Sequence, residues 1–174
     1  MTTTLAHHLP RLPFIAQNTG PFVDLEKAFN SAIRMLSRRE HSETEVQTKL
    51  KQKFKTLTSA DIEEIVSRLK NAGLLSNERF AEILIRSRVA RGYGPFYIHQ
   101  ELAMKGIPND LSVQLFEQAD VDWQWVANNL VERRHADASE NPQAWAKAAR
   151  FLQRRGFNAD IVAKALGAQP QESL

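Results

Sequence analysis

The 174-residue sequence contains no cysteine. Disulfides, thiolate zinc sites, iron–sulfur clusters and cysteine nucleophiles are thereby excluded together. Long apolar runs are missing as well. The longest aliphatic stretch is Ile83-Leu84-Ile85, far from the roughly 20 apolar residues that a membrane helix needs, so no membrane contact is expected. The first ten residues, ending at Pro10, have neither the basic lead nor the apolar core of a secretory signal, which makes the cytoplasm the default location. Charge of one sign is scarce: 23 Lys and Arg oppose 20 Asp and Glu, for a net charge of +3. The resulting pI near 9.3 permits an anionic partner without demanding one.

Catalytic constellations are equally sparse. No Gly-x-Ser-x-Gly occurs, and the five histidines, at 7, 8, 41, 99 and 135, are scattered. The adjacent His7 and His8 lack the His-Glu-x-x-His spacing that puts two ligands on one helix face. The Gly-x-Gly within Arg91-Gly-Tyr-Gly-Pro95 is followed by no Gly-Lys-Ser/Thr and reads as a helix joint. The acidic pairs Glu43/Glu45, Glu63/Glu64 and Asp120/Asp122 fall in the first turns of predicted helices, where negative charge suits the macrodipole. No catalytic residue, metal ligand or cofactor site is assigned, and the chain is not expected to be an enzyme.

What the sequence does contain is helix punctuation. Residues 1 to about 23, with Pro10, Pro13, Gly20 and Pro21, carry no apolar period and read as a mobile tail. From Asp24 onward the pattern is helical. Ser42-Glu-Thr-Glu45 reads as a capping box ahead of Val46, Leu50 and Phe54, and Thr58-Ser-Ala-Asp61 as a related start ahead of Ile62, Ile65, Val66 and Leu69. Ser76, Gly94-Pro95, Asn109, Asn141-Pro142 and Asn158 are further starts; Gly73, Gly92, Gly106, Gly156 and Gly167 are stops. No alternating run of β-branched residues intervenes, so the prediction is all-α with about nine short helices.

The helices repeat. Leu102-x-x-x-Gly106-Ile107-x-x-Asp110-Leu111 returns as Leu152-x-x-x-Gly156-Phe157-x-x-Asp160-Ile161. Leu50, Phe54, Asp61 and Ile62 follow the same order more loosely, with Lys53 in the glycine position. The predicted architecture is three tandem three-helix repeats, at 24–75, 76–119 and 120–168, with a C-terminal tail at 169–174. Units touching mainly their neighbours would form an elongated, curved, right-handed-type array with a long concave face, a shape for binding rather than catalysis.

Arginines recur in place along it. Arg34, Arg38 and Arg39 close the first helix of the first unit, Arg86, Arg88 and Arg91 that of the second, and Arg133 and Arg134 that of the third. Favourable interaction with the helix dipole explains any one of them. Recurrence in three units points further, because a guanidinium makes two-pronged hydrogen bonds to phosphate or carboxylate. Phe80, Phe116, Phe151 and Phe157 read as core. Trp123 and Trp125 point to different faces of one helix, so both do not easily fit one small core and one is left for a contact. Tyr93, Phe96 and Tyr97 raise the same question, with packing between units ranked first.

In the order of its motifs the chain resembles the RecX family, bacterial regulators of the RecA recombinase. The resemblance rests on Arg38-Arg-Glu-His-Ser42 with Lys49-Leu50, Gly73-Leu-Leu-Ser-Asn-Glu-Arg-Phe-Ala81, Arg86-Ser-Arg-Val-Ala-Arg-Gly92, Ile98-x-x-Glu101-Leu102, Gly106-Ile107 and Phe151-Leu-Gln-Arg-Arg-Gly-Phe157. It implies three tandem three-helix repeats lodged along the RecA–DNA filament, suppressing strand exchange, ATPase and the filament's co-protease action in DNA repair and the SOS response. It implies a monomeric modulator with no active site. Arg38, Arg39, Arg86, Arg88, Arg91, Arg154 and Arg155 match basic family positions and become candidate filament or DNA contacts. Departures occur at Lys53-Phe54, at Tyr93, Phe96 and Tyr97, and at Asn77, where an acidic residue is frequent. The alternative is a stand-alone nucleic-acid binder affecting RecA only by competing for DNA. With a net charge of +3, any binding to single- or double-stranded DNA is expected to be weak.

Overall fold

The computed structural model describes residues 21–171. Residues 1–20 and 172–174, which include the His7-His8 pair and most of the predicted tails, lie outside the described part. Among the described residues the chain forms nine α-helices, one 3-10 turn and no strand. They are α1 (Pro21–Leu36), α2 (Glu43–Lys53), α3 (Ser59–Asn71), α4 (Asn77–Ala90), α5 (Pro95–Met104), α6 (Asn109–Ala119), α7 (Trp123–Arg134), α8 (Pro142–Arg154) and α9 (Ala159–Leu166); the 3-10 turn, Ala136–Ser139, precedes α8. The all-α repeat array expected from the sequence is therefore the observed fold. Its first helix opens at Pro21, ahead of Asp24; a proline that breaks a helix interior is well suited to a helix start.

Side-chain caps set most of the starts. The Ser42 hydroxyl accepts from the Glu45 N–H at 3.1 Å, that of Ser76 from Arg79 at 3.2 Å, and the side chains of Asn141 and Asn158 from Ala144 and Ile161 at 2.8 and 2.9 Å. Thr58 and Asp61 close a reciprocal box, the Asp61 carboxylate accepting the Thr58 N–H at 2.7 Å. That hydrogen bonding, from the Thr58 hydroxyl and then its backbone, holds the Asp61 carboxyl below its usual pKa. The box predicted at Ser42 is only half formed, because the Glu45 carboxylate turns instead to Arg39 and Lys105. Asp120 is a second correction. It adopts a left-handed conformation, φ 43°, and ends α6 rather than opening α7, whose cap is Asp122; a short side chain tolerates that backbone region.

The repeated Leu-x-x-x-Gly-apolar motif is a helix-ending device. Ile107 and Phe157 donate their N–H groups back to the carbonyls of Leu102 and Leu152, at 3.0 and 3.2 Å, across left-handed Gly106 and Gly156. This is the Schellman pattern, in which the residue beyond the glycine also packs against the last turn. Leu102 and Leu152 are fully buried, with Ile107 and Phe157 nearly so. The first unit lacks the glycine. There α2 ends at Phe54 without a left-handed turn, and the chain needs Phe54 to Leu57 to reverse before Thr58 caps α3.

Three hydrophobic clusters result. The first joins Ala28, Val46, Leu50, Ile62, Leu69 and others within α1–α3. The second gathers Phe80, Ile85, Ile98, Leu102, Ile107 and Leu115 within α4–α6, the third Val126, Ala148, Leu152, Phe157 and Val162 within α7–α9. The extensive helix-to-helix contacts all fall inside one of these groups. Val89 and Trp123 lean on both the second and third clusters. Each unit thus carries its own core, and the units meet along narrow joints.

Candidate interaction surface

Which arginines are available follows from what each guanidinium touches. Arg88, on the last turn of α4, is clamped to Glu101 of α5 by two hydrogen bonds of 2.6 and 2.5 Å. Such a two-pronged pair is worth more than an exposed one, and donating to the Glu101 carboxylate raises the Arg88 pKa further. Arg88 is an internal strut of the second unit. Arg39 donates to the Glu45 carboxylate and to the Glu40 carbonyl, while remaining about half exposed. Arg155 donates to the Arg91 carbonyl at 2.8 Å and lies over the rings of Tyr93 and Phe151, at 4.6 and 5.1 Å. Arg38, Arg86, Arg91 and Arg154 are exposed and have no side-chain partner among the described residues.

The joints place these groups. At the joint between the second and third units, Gly94 caps α5 with no side chain. Its N–H and that of Phe96 donate instead to the carbonyls of Arg155 and Gly156 at the end of α8, at 2.7 and 3.1 Å. The orphan donors of one helix start meet the orphan acceptors of another helix end. A Cβ on Gly94 would press on the Gly156 carbonyl oxygen at 2.5 Å, and one on Gly156 would strike the Tyr97 backbone nitrogen. The stack of Tyr93 on Tyr97, centroids 4.3 Å apart, flanks this joint. Packing between units therefore accounts for Tyr93 and Tyr97, while Phe96 is 65% exposed.

At the joint between the first and second units the same elements meet through side chains. Lys105, at the end of α5, binds Glu45 in the first turn of α2 at 2.7 Å, and Gly106 faces Thr44. Arg79 holds Glu40 at 2.8 Å, and the Asn77 side chain accepts the Glu43 N–H at 2.9 Å. Burial raises the Glu45 carboxyl, but hydrogen bonds from Lys105 and Arg39 more than offset it and leave the pKa lowered. Asn77, a departure from the family pattern, thus becomes a link between units.

Two cavities adjoin the α4 C-terminus. One, of about 500 Å³, is walled by Ile85, Val89, Leu115 and Val121, with Glu82 and Arg86 also on its lining. The other, of about 530 Å³, lies between the second and third units and brings Arg91 and Arg155 together with Arg133 and Arg134. Tyr93 and Trp125 share its lining, which contains no carboxylate. Arg38, Arg39 and Arg154 line neither cavity. Arg133 and Arg134 belong to the recurrent helix-end series, and one of Trp123 and Trp125 is expected at a contact; that Trp125 joins these arginines is signalled only by the row Trp125, Asn129, Arg133 at intervals of four on α7. Among the described residues no group of three His, Asp or Glu side chains gathers to hold a metal, and no helix is long and apolar enough to cross a membrane.

Comparison with known proteins agrees in every unit. The chain matches the family models for the first, second and third three-helix domains of RecX at residues 28–69, 76–112 and 126–166. It is 37% identical over 148 residues to the regulatory protein RecX of Halorhodospira halophila, covering 84% of this chain and 91% of that one. It is 37% identical over 141 residues to that of Legionella pneumophila, covering 80% and 93%. The crystal structure of RecX from Lactobacillus salivarius shares the fold, with a TM-score of 0.72 at 23% identity over 83% of this chain and 95% of that one. With three family domains in order and relatives matched over most of their length, this chain belongs to the RecX family of regulatory proteins.

Proposed function

We propose that the protein binds along the filament that the RecA recombinase forms on DNA and restrains it, lowering strand exchange, ATP hydrolysis and co-protease activity during DNA repair and the SOS response. The observation that carries this reading is family membership extending through all three units. In this reading the units 24–75, 76–119 and 120–168 act as binding modules of a cytoplasmic monomer, without catalysis. The exposed Arg38, Arg86, Arg91 and Arg154 meet the filament, whereas Arg39, Arg88 and Arg155 first serve the fold. The test is co-sedimentation with RecA filaments assembled on single-stranded DNA, beside naked DNA and RecA alone. Filament-selective binding is expected, and replacing Arg86 and Arg91 by Ala should weaken it with helix content unchanged. Unaltered RecA ATPase and strand exchange at saturating protein would refute the proposal.

A second reading, a nucleic-acid binder that affects RecA only by competition, is favoured by the arginine-lined cavity between the second and third units. Equal retention on naked DNA, without preference for the filament, would favour it.

A further inference from the structure

The cavity between the second and third units combines a cluster of cations with an exposed aromatic ring. Four guanidinium groups, from Arg91, Arg133, Arg134 and Arg155, line it without a single carboxylate. Trp125 stands on the same lining with 61% of its surface exposed, although Trp123, two residues away, is packed against two cores. The arginines are fixed to different degrees. Arg155 is held by the Arg91 carbonyl and Tyr93, Arg133 by the Asn129 side chain, and each keeps unused donors. Arg91 and Arg134 have no side-chain partner among the described residues.

We infer that this cleft binds single-stranded nucleic acid, with one unstacked base lying on the Trp125 indole and adjacent phosphates held by Arg91, Arg133 and Arg134. The inference deepens the second reading above and requires no contact with RecA. An acidic peptide would satisfy the arginines but leaves the exposed indole without a purpose. A planar aromatic beside a positive groove is the recurring arrangement for single strands, since every base offers a π-face. A duplex is a poor fit. Its bases are already stacked, and a cavity of about 530 Å³ is of the size that encloses a small ligand rather than a double helix. Along α7, Trp125 and Arg133 are two turns apart, about 12 Å, so base and phosphate contacts fall on separate positions of one strand.

The experiment measures binding of a short labelled oligothymidylate to the full chain by anisotropy, together with tryptophan emission and its salt dependence. Binding with quenching is expected, and a matching duplex should leave the emission unchanged. Trp125→Ala should weaken binding about tenfold, within the range for one lost base stack. Arg133→Ala with Arg134→Ala should weaken it and flatten the log–log salt slope by about 0.7 for each phosphate contact removed. Both changes lie on an exposed face, and unchanged circular dichroism confirms that the variants fold. Oligothymidylate binding untouched by Trp125→Ala would overturn the inference, as would no binding at all. A polyglutamate peptide that quenches where oligothymidylate does not would overturn it too, assigning the cleft to an acidic protein segment. Co-sedimentation of Trp125→Ala with RecA filaments separates this outcome from the filament proposal: retained filament binding with lost oligothymidylate binding supports a nucleic-acid contact at Trp125 distinct from the filament contact, although Arg91 serves both.

Discussion

The two joints of the array use one geometry and different materials. In each, the end of the middle helix of one unit abuts the start of the middle helix of the unit before it. Between the second and third units the contact is main chain to main chain, with α8 carbonyls accepting from the Gly94 and Phe96 N–H groups and no room for a Cβ on either facing glycine. Between the first and second units it is made by Lys105 with Glu45, Arg79 with Glu40, and Asn77 with the Glu43 N–H. Main-chain bonds need no long side chain to be held in place and are little screened by salt, whereas partly exposed ion pairs are weak and screened. One repeat fold has thus produced a fused pair, units two and three, and a first unit attached through charge.

The largest test of that difference lies in the cores. Leu50→Ala and Leu152→Ala each remove a fully buried side chain, at a cost of about 2–5 kcal/mol. If units two and three are fused, Leu152→Ala should lower amide-exchange protection in both, because opening α8 takes the α5 cap with it. Leu50→Ala should expose the first unit while α4 to α9 keep their protection. Uniform loss of protection in both variants would show that the array unfolds as a single body and that the joints do not differ in strength.

Glycine substitutions sharpen the comparison at the joints themselves. Gly156 has φ +88° and faces the Tyr97 backbone, which has nowhere to go. Gly156→Ala should cost about 3 kcal/mol, combining left-handed strain with a forced backbone shift. Gly106 has φ +75° but faces the Thr44 side chain, whose hydroxyl can rotate away while its Cβ, 2.9 Å off, needs only a slight shift. Gly106→Ala with Thr44→Ala should cost about 1–2 kcal/mol of conformational strain plus a small shift at the α2 start, because the residue-44 Cβ remains 2.9 Å away. Thermal melts of the two variants and the double variant check both figures.

The first layer of this structure is legible in the sequence, and the joints show why the second is not. Ser76, Thr58, Asn141 and Asn158 act within three residues of themselves, so spacing reveals them as caps. Leu102 and Leu152 announce their burial through the glycine and apolar residue that follow. Glu45 carries the same local signal as a capping residue, yet Lys105, sixty positions away, takes its carboxylate. Arg88 and Arg155 look like Arg86 and Arg91 in a list of basic positions, but Glu101 and the Arg91 carbonyl occupy them. A helix-end arginine is identified by spacing; whether its donors are spent is decided by which distant backbone or carboxylate the fold brings near.

Ion-pair variants at the first joint should have smaller effects. Lys105→Ala removes a pair whose lysine is about one-third exposed, so the expected loss is about 0.5–1 kcal/mol, vanishing at high salt. Exchange at the start of α2 should accelerate with salt in the wild type, while exchange at the start of α5 should not. Equal salt dependence at both positions would erase the distinction between a charged and a main-chain joint.

Acid gives the finest separation. His41, His99 and His135 all have pKa values lowered by burial from the ordinary 6.5, and the Glu45 carboxyl lies below 4.5 despite burial because Lys105 and Arg39 bind it. A histidine whose folded pKa is depressed adds stability that is complete above about pH 6.5 and declines as pH falls, since the unfolded chain then binds more protons. That loss falls on all three units, because His41 belongs to the first, His99 to the second and His135 to the third. Glu45 acts later and in one place: its ion pairs stabilise the first joint above about pH 4.5 and are lost as pH falls through the lowered folded value. The pH profile of amide exchange should therefore show a shared decline below pH 6.5, followed by an added loosening at the α2 start that is absent at the α5 start. Glu45→Gln should remove the second step and leave the first, and a second step persisting in that variant would place the acid-labile contact elsewhere than in the joint between the first two units.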